Sequence, residues 1–234
     1  MTAVNPREFW DNKILRWEED RYGESQPQRS VLERLAKRAS SSVRNRQTVA
    51  ARLIGECCRD RRVVEIGCGS GRLATPVMAA GAASYTGYDV APSAIAEAER
   101  RRQGEGLGNT IKFVVADIHA MPAPAADIVF SLRLFDWLTD AEIALLFEKC
   151  GDADFLHSFS EKRATASQWL HRFYVFLAYG WRTGAYVPRY QTAGELAALA
   201  RGHCSRPVTV YRDPALAFGA MLSTLPGIEG SPVR

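Results

Sequence analysis

Residues 63–73 read Val-Val-Glu-Ile-Gly-Cys-Gly-Ser-Gly-Arg-Leu. A short β-branched run ends on three alternating glycines, and a helical pattern follows. An apolar run this short, bounded by glycine, suits a buried strand better than a helix. Glycine tolerates unusual backbone angles and lets a ligand approach closely. The amides at the following helix start can face a carboxylate or another anion. A chain built on this segment is committed to a strand–loop–helix unit.

The same unit recurs. With Arg62–Ile66 as the first strand, Ser84–Tyr88, Ile111–Val115, Asp127–Leu132 and Asp154–Phe159 read as four more. Leu73–Ala80, Pro92–Gln103 and Asp140–Cys150 read as helices between them. Pro92 suits a first turn, with Ser93 or Asp89 as cap, and Thr139 or Asp140 caps the later helix. Alternation of this kind implies βαβ units and a parallel sheet covered on both faces.

Beyond Ser160 the rhythm breaks. Ala164–Tyr179 reads as an aromatic-rich helix, Thr192–Arg201 as another, and Pro207–Tyr211 with Ala217–Leu222 as a closing strand pair. Gly227–Pro232 reads as a frayed tail. Ahead of the first strand, Phe9–Tyr22 carries Phe9, Trp10, Ile14, Leu15, Trp17 and Tyr22 at helical intervals, and Val31–Ala39 and Val43–Cys58 also read as helical. The expected fold class is α/β: a doubly wound sheet, mostly parallel with a C-terminal antiparallel strand. N-terminal helices and a helical cap inserted after strand 5 are added to it. The expected domains are an N-terminal helical lid over 1–60 and a core over 61–234, with the substrate cap at about 162–203.

Composition narrows the classes. At 234 residues and 47% hydrophobic, the chain suits one domain with an appended cap. A net charge of +4 is far from that of a nucleic-acid tail. The five cysteines form no Cys-x-x-Cys pair, which argues against a zinc site or a disulfide framework and for a reducing cytoplasm. Met1–Asp11 lacks the pattern of a signal peptide, and the apolar cluster Phe173–Trp181 is shorter than the ~20 residues that span a bilayer. A cytoplasmic protein with no nucleic-acid or membrane partner is expected, and a homodimer stays open.

The glycine loop admits few readings. A dinucleotide fingerprint needs Gly-x-Gly-x-x-Gly, but its last position falls on Arg72. The Gly-Lys-Ser/Thr of a P-loop is absent. Asp89 closes the second strand, where a carboxylate can accept from both hydroxyls of a ribose. Asp117 follows the third strand, and Asp127-Ile128-Val129-Phe130-Ser131 forms the fourth. Taken together and in this order, these segments resemble the motifs of class I S-adenosylmethionine-dependent methyltransferases, over about Val63 to Phe159.

That resemblance implies a Rossmann-like fold, S-adenosylmethionine as cofactor, S-adenosylhomocysteine as product, and no metal. It places Glu65, Gly67, Cys68, Gly69 and Gly71 at the cofactor loop, and Asp89 with Val90 at the ribose. Asp117 is placed at the adenine amino group, with the amide of Ile118 at a ring nitrogen. Ser131 is placed at the cofactor edge, and Trp17 and Tyr22 are lid candidates. For proton removal, His157 at the end of strand five, His171 in the cap helix and Asp136 after strand four are the candidate catalytic residues. The aromatics and arginines of Trp169–Tyr190 suit a planar or anionic small molecule. The expected activity is methyl transfer to a small-molecule acceptor, O-methylation first and N-methylation second. A macromolecular methyltransferase and a non-catalytic cofactor binder remain the alternatives.

Overall fold

The computed structural model describes residues 5–22, 44–163, 168 and 188–232. Within 5–22, the side chains of Trp17, Asp20, Arg21 and Tyr22 fall outside that description. Two short helices open the chain, α1 (Pro6–Asp11) and α2 (Ile14–Tyr22). The stretch expected as one helix is thus broken at Asn12–Lys13. Residues 44–55 are helical (α3). The core follows as β1 (Arg62–Ile66), α4 (Ala74–Ala79), β2 (Ser84–Asp89), α5 (Pro92–Gly104), β3 (Ile111–Val115) and β4 (Ile128–Leu132). A 3-10 turn at Leu134–Asp136 leads to α6 (Asp140–Cys150) and β5 (Asp154–Ser160). Further along the chain come α7 (Ala193–Arg201), β6 (Thr209–Tyr211), β7 (Gly219–Ser223) and β8 (Ser231–Pro232).

The strands form one sheet in the order β3-β2-β1-β4-β5-β7-β6-β8. The pairs from β3 to β5 are parallel, and β7, β6 and β8 add antiparallel pairs. This is the expected Rossmann-like sheet with an antiparallel C-terminal side, and two details differ. The closing side holds three strands, because residues expected as a frayed tail pair through Val210 and Ser231. The helix at 44–55 also belongs to the core, so the expected lid boundary near residue 60 does not fall on a structural break.

Alternation along the strands explains the two hydrophobic layers. Val64, Val129 and Phe155 face one side and pack with Ile143, Leu146 and Phe147 of α6 and Leu196 of α7. Their neighbours Val63, Ile128 and Leu156 face the other, against Val49, Leu53 and Ile54 of α3 and Val77 of α4. A fully buried side chain of this size contributes roughly 1.5–3 kcal/mol. The helices are capped as their sequences suggest: Thr139 accepts from Glu142 N while the Glu142 carboxylate accepts from Thr139 N, a capping box at the start of α6. Neither Ser93 nor Asp89 caps α5 in the usual way; Ala91 holds the cap position and Asp11 of α1 accepts from Ser93 N at 2.7 Å.

Where the strand order reverses, between β1 and β4, the connections leave on opposite faces of the sheet. A crevice opens at the carboxyl ends of those strands. The candidate functional site is this crevice.

Candidate cofactor cleft

One cleft runs across the carboxyl ends of β1, β2, β3 and β4, and it encloses about 1260 Å³ with its open mouth included. Its floor comes from the glycine loop: Glu65, Ile66, Gly67, Cys68 and Gly69 all line it. Asp89 and Val90 after β2, Ala116 to Ile118 after β3, and Leu132 to Leu134 after β4 continue the wall. Trp10, Ile14 and Glu18 reach over it from α1 and α2. Among the described residues, no group of His, Cys, Asp or Glu is placed to hold a metal ion.

The loop is held by the residues it was expected to present. Asp89, 8% exposed, accepts from Gly69 N at 2.8 Å and from Ala91 N at 2.9 Å. The first bond ties the loop to the end of β2, and the second closes the turn that follows the strand. Burial raises the Asp89 carboxyl above its ordinary range, and the two amides partly offset that shift. Glu65 is buried and accepts from the Tyr85 hydroxyl across β1–β2. Burial pushes its carboxyl well up despite that bond. Burial also raises the Cys68 thiol, which keeps it a neutral wall atom. Asp117 Oδ1 accepts from His119 N at 2.8 Å, which fixes the turn after β3, and Asp117 lines the cleft.

The three glycines differ in what they admit. All have positive φ, at 76°, 52° and 69° for Gly67, Gly69 and Gly71. A β-carbon on Gly71 would meet the Phe113 ring at 2.5 Å, and Gly71 is absent from the cleft wall. Its role is close packing against β3, which corrects the expected ligand contact. A β-carbon on Gly69 would meet Glu18 Oε1 at 2.2 Å, so this glycine admits a side chain from the N-terminal helix.

Two more expectations change at the ends of β4 and β5. Ser131 and His157 are neighbours in register, wholly buried, and share a hydrogen bond of 2.9 Å between Oγ and Nδ1. His157 stacks with Phe135 and Phe155 at centroid distances of 4.8 and 5.2 Å, and meets Phe147 edge-on at 5.7 Å. Neither Ser131 nor His157 lines the cleft. Burial lowers the His157 imidazole to about 3, so it is neutral and cut off from any acceptor. The reason is the period of the strand: Ser131 shares the face of Val129, and His157 that of Phe155, both pointing toward α6.

Asp136 is also 0% exposed and lies off the cleft wall. It accepts from Ser160 N at 2.7 Å, Ser160 Oγ at 2.8 Å and Arg133 Nε at 3.1 Å, and Arg46 Nη1 stands 3.9 Å away. It organises the cleft's arginines rather than presenting an oxygen to the cleft. His171 lies outside the described residues, as do the side chains of Trp17 and Tyr22 and most of the cap at Trp169–Tyr190.

Several wall residues escaped the sequence reading. Ile14 and Glu18 stand four residues apart on one face of α2, a spacing there to be read, while Trp10 comes from α1 across the break at Asn12–Lys13. Trp10 packs edge-on against Trp137 at 4.8 Å, which joins α1 to the loop after β4. Arg46, Gln47 and Glu142 carry no local signal that would have marked them.

Residues 63–153 match the family model described as a methyltransferase domain. No curated protein matches the chain. Among solved structures, magnesium protoporphyrin IX methyltransferase from Synechocystis PCC 6803, with bound S-adenosylhomocysteine, shares 17% identity. That match covers 93% of this chain and 96% of the other, with a TM-score of 0.70. Human N-acetylserotonin methyltransferase in complex with S-adenosylmethionine shares 18% identity over 93% of this chain and 66% of its own, with a TM-score of 0.56. The cyclase SpnF shares 16% identity over 91% of this chain and 76% of its own, with a TM-score of 0.59. Residues 63–153 thus match a methyltransferase domain in sequence, and the fold is the one that these solved methyltransferases share.

Proposed function

We propose that the chain uses S-adenosylmethionine to methylate a small-molecule acceptor, with an oxygen as the favoured methyl acceptor. The observation that carries this reading is the cleft at the β1/β4 switch point, lined by Gly67, Gly69, Asp89 and Asp117. A ribose fits between Asp89 and Val90, and an adenine beside Asp117 and Ile118. When bound, the cofactor supplies an electrophilic methyl group on a positively charged sulfur. The chain's part is to bind, align and exclude water, and alignment alone supplies roughly 7–11 kcal/mol in favourable cases.

Among the described residues, the cleft wall contains no histidine and no lysine. A weakly acidic acceptor would need a base, and His157 and Asp136 are both buried elsewhere. An acceptor oxygen that arrives anionic, as a carboxylate or an acidic phenol, needs none. Arg46 and Arg133 line the same cleft and suit such a charge. This favours O-methylation over N-methylation. The bulk of the proposed cap, about 162–203, is the proposed acceptor cover, and His171 within it remains a proposed base.

The test is incubation with isotope-labelled S-adenosylmethionine and fractionated metabolites, read by mass spectrometry. An acid-soluble product heavier by one CH2 unit supports the reading; label on RNA or protein instead points to a macromolecular acceptor. The structural likeness to a cyclase gives a second reading some ground, because the same fold serves different chemistry. Cofactor binding without any methylated product would favour that reading.

A further inference from the structure

Asp136 is wholly buried, and its Oδ2 is met by three groups. Ser160 Oγ donates to it at 2.8 Å, Arg133 Nε donates at 3.1 Å, and Arg46 Nη1 stands 3.9 Å away. Its Oδ1 accepts from Ser160 N at 2.7 Å, which fixes the carboxylate to the end of β5. Arg46 Nη2 also reaches Ser160 Oγ at 3.3 Å. One carboxylate oxygen thus sets two guanidiniums side by side, one from α3 and one from the turn after β4. Both arginines line the cleft. The other charged groups on its wall are acidic: Glu18, Glu65, Asp89, Asp117 and Glu142.

The chain is built to place this pair. Arg46 is 5% exposed, and it passes Gly219 of β7, where a β-carbon would stand 2.7 Å from its Nε. Arg133 has φ 62° and ψ 7°, a left-handed backbone that side-chain-bearing residues seldom adopt. Its N donates to Ser158 Oγ at 2.9 Å, which helps to hold it there. Such residues persist where the surrounding structure over-determines them, and they gather at ligand sites.

We propose that the acceptor is an organic acid, and that Arg46 and Arg133, set by Asp136, bind its carboxylate as the group that receives the methyl. This rests on the methyl-transfer reading above and narrows its acceptor from any anionic oxygen to a carboxylate. Guanidinium N–H groups match the two oxygens of a carboxylate in geometry as well as in charge. A guanidinium carries five N–H donors, so one that serves Asp136 can serve a ligand as well. A carboxyl group titrates at about 4 and arrives ionised at neutral pH, whereas a phenol titrates at about 10 and needs a base. In the step, a carboxylate oxygen bonds to the methyl carbon and the methyl–sulfur bond breaks, its electron pair staying on sulfur. No proton moves. The sulfonium becomes a thioether and the carboxylate a neutral ester, which no longer carries the charge that the arginines bind.

The experiment supplies methyl-labelled S-adenosylmethionine and an acid-soluble metabolite extract to the full chain, then treats the products with mild alkali. Alkali hydrolyses a methyl ester and releases volatile labelled methanol; aryl ethers and N-methyl groups keep their label. The expected result is that most of the transferred label becomes volatile. Arg133→Gln should lower transfer at limiting extract by at least about tenfold, as for loss of a charged hydrogen bond, with Arg133→Lys in between. Affinity for S-adenosylhomocysteine, measured by calorimetry, should stay unchanged in both variants, which also shows that they are folded. Alkali-stable label overturns the proposal and leaves the methyl-transfer reading standing. Equal transfer by Arg133→Gln and the unaltered chain overturns it too, as does a matching loss of S-adenosylhomocysteine binding in both variants. If the unaltered chain binds S-adenosylhomocysteine but labels no acid-soluble product, the methyl-transfer reading falls and this proposal with it.

Discussion

Asp89 and His157 are both buried on strands of the parallel part of the sheet, Asp89 as the last residue of β2 and His157 midway along β5. What surrounds them differs. Asp89 meets two backbone amides and a cleft, whereas His157 meets three phenylalanine rings and a serine. The first is a polar group that lines the cleft. The second is a polar group absorbed into the core, with Nε2 left without a hydrogen-bond partner. A place on a sheet strand is thus not enough to mark chemistry; the position along the strand and the face of the sheet decide.

Removing the core member should have the largest effect on stability. His157→Ala leaves a cavity among Phe135, Phe147 and Phe155 and should cost about 3 kcal/mol, measured by urea unfolding. His157→Phe keeps the volume and should leave turnover of the folded protein unchanged. A large fall in kcat for that variant would return His157 to the active site. Because the folded imidazole titrates at about 3 and an unfolded one at about 6.5, only the unfolded state gains this proton as pH falls between them. Stability from this group is therefore full above about pH 6.5 and declines toward pH 3, and His157→Phe should remove that part of the decline.

Removing the site member should act on binding. Asp89→Asn keeps the shape but loses the charge that holds Gly69 and Ala91, and should weaken S-adenosylhomocysteine by roughly thirtyfold to a hundredfold. An unchanged affinity by calorimetry would erase the contrast with His157.

A smaller effect is expected at Asp127, which pairs with Arg62 through Nη2 at 2.9 Å and accepts from Arg62 N at 2.8 Å. The side chain is 35% exposed, so solvent screening leaves Asp127→Asn a cost of about 1 kcal/mol at neutral pH. The Arg62 guanidinium lowers this carboxyl to about 2. Its stabilising share is present above about pH 4, the unfolded value, and is lost as pH falls through 2. Acid unfolding curves of the two proteins should converge there.

The smallest effect should follow Trp10→Ala, which removes the edge-on contact with Trp137, worth roughly 1 kcal/mol. S-adenosylhomocysteine should then bind a few-fold more weakly with the fold intact. No change would place the α1 helix outside the binding event.

The sheet was legible because its signals are local: β1, β3 and β4 are short apolar runs rich in Val and Ile, and α6 and α7 each open on a Thr–Glu capping box. β8 was not, since two residues, Ser231 and Pro232, carry no pattern and become a strand only by meeting β6. That Gly67, Gly69, Asp89 and Asp117 line one cleft was legible for the same local reason, as they sit at the ends of recognisable strands. Glu18 was hidden because it reaches the loop from 52 residues away in sequence. Gly71 was misread because a packing glycine and a ligand glycine look alike until Phe113 is seen against it. The error at Ser131 and His157 was avoidable: both alternate in step with Val129 and Phe155, and a strand's period of two already sends all four to one side.

The account turns on the cleft at the β1/β4 switch point being a nucleoside cofactor site organised by Asp89. Titration of S-adenosylhomocysteine into the full chain and into Asp89→Asn tests it in one calorimetric measurement. The account predicts saturable one-to-one binding to the first and at least roughly thirtyfold weaker binding to the second. No binding to the unaltered chain, or equal binding to both, would contradict it.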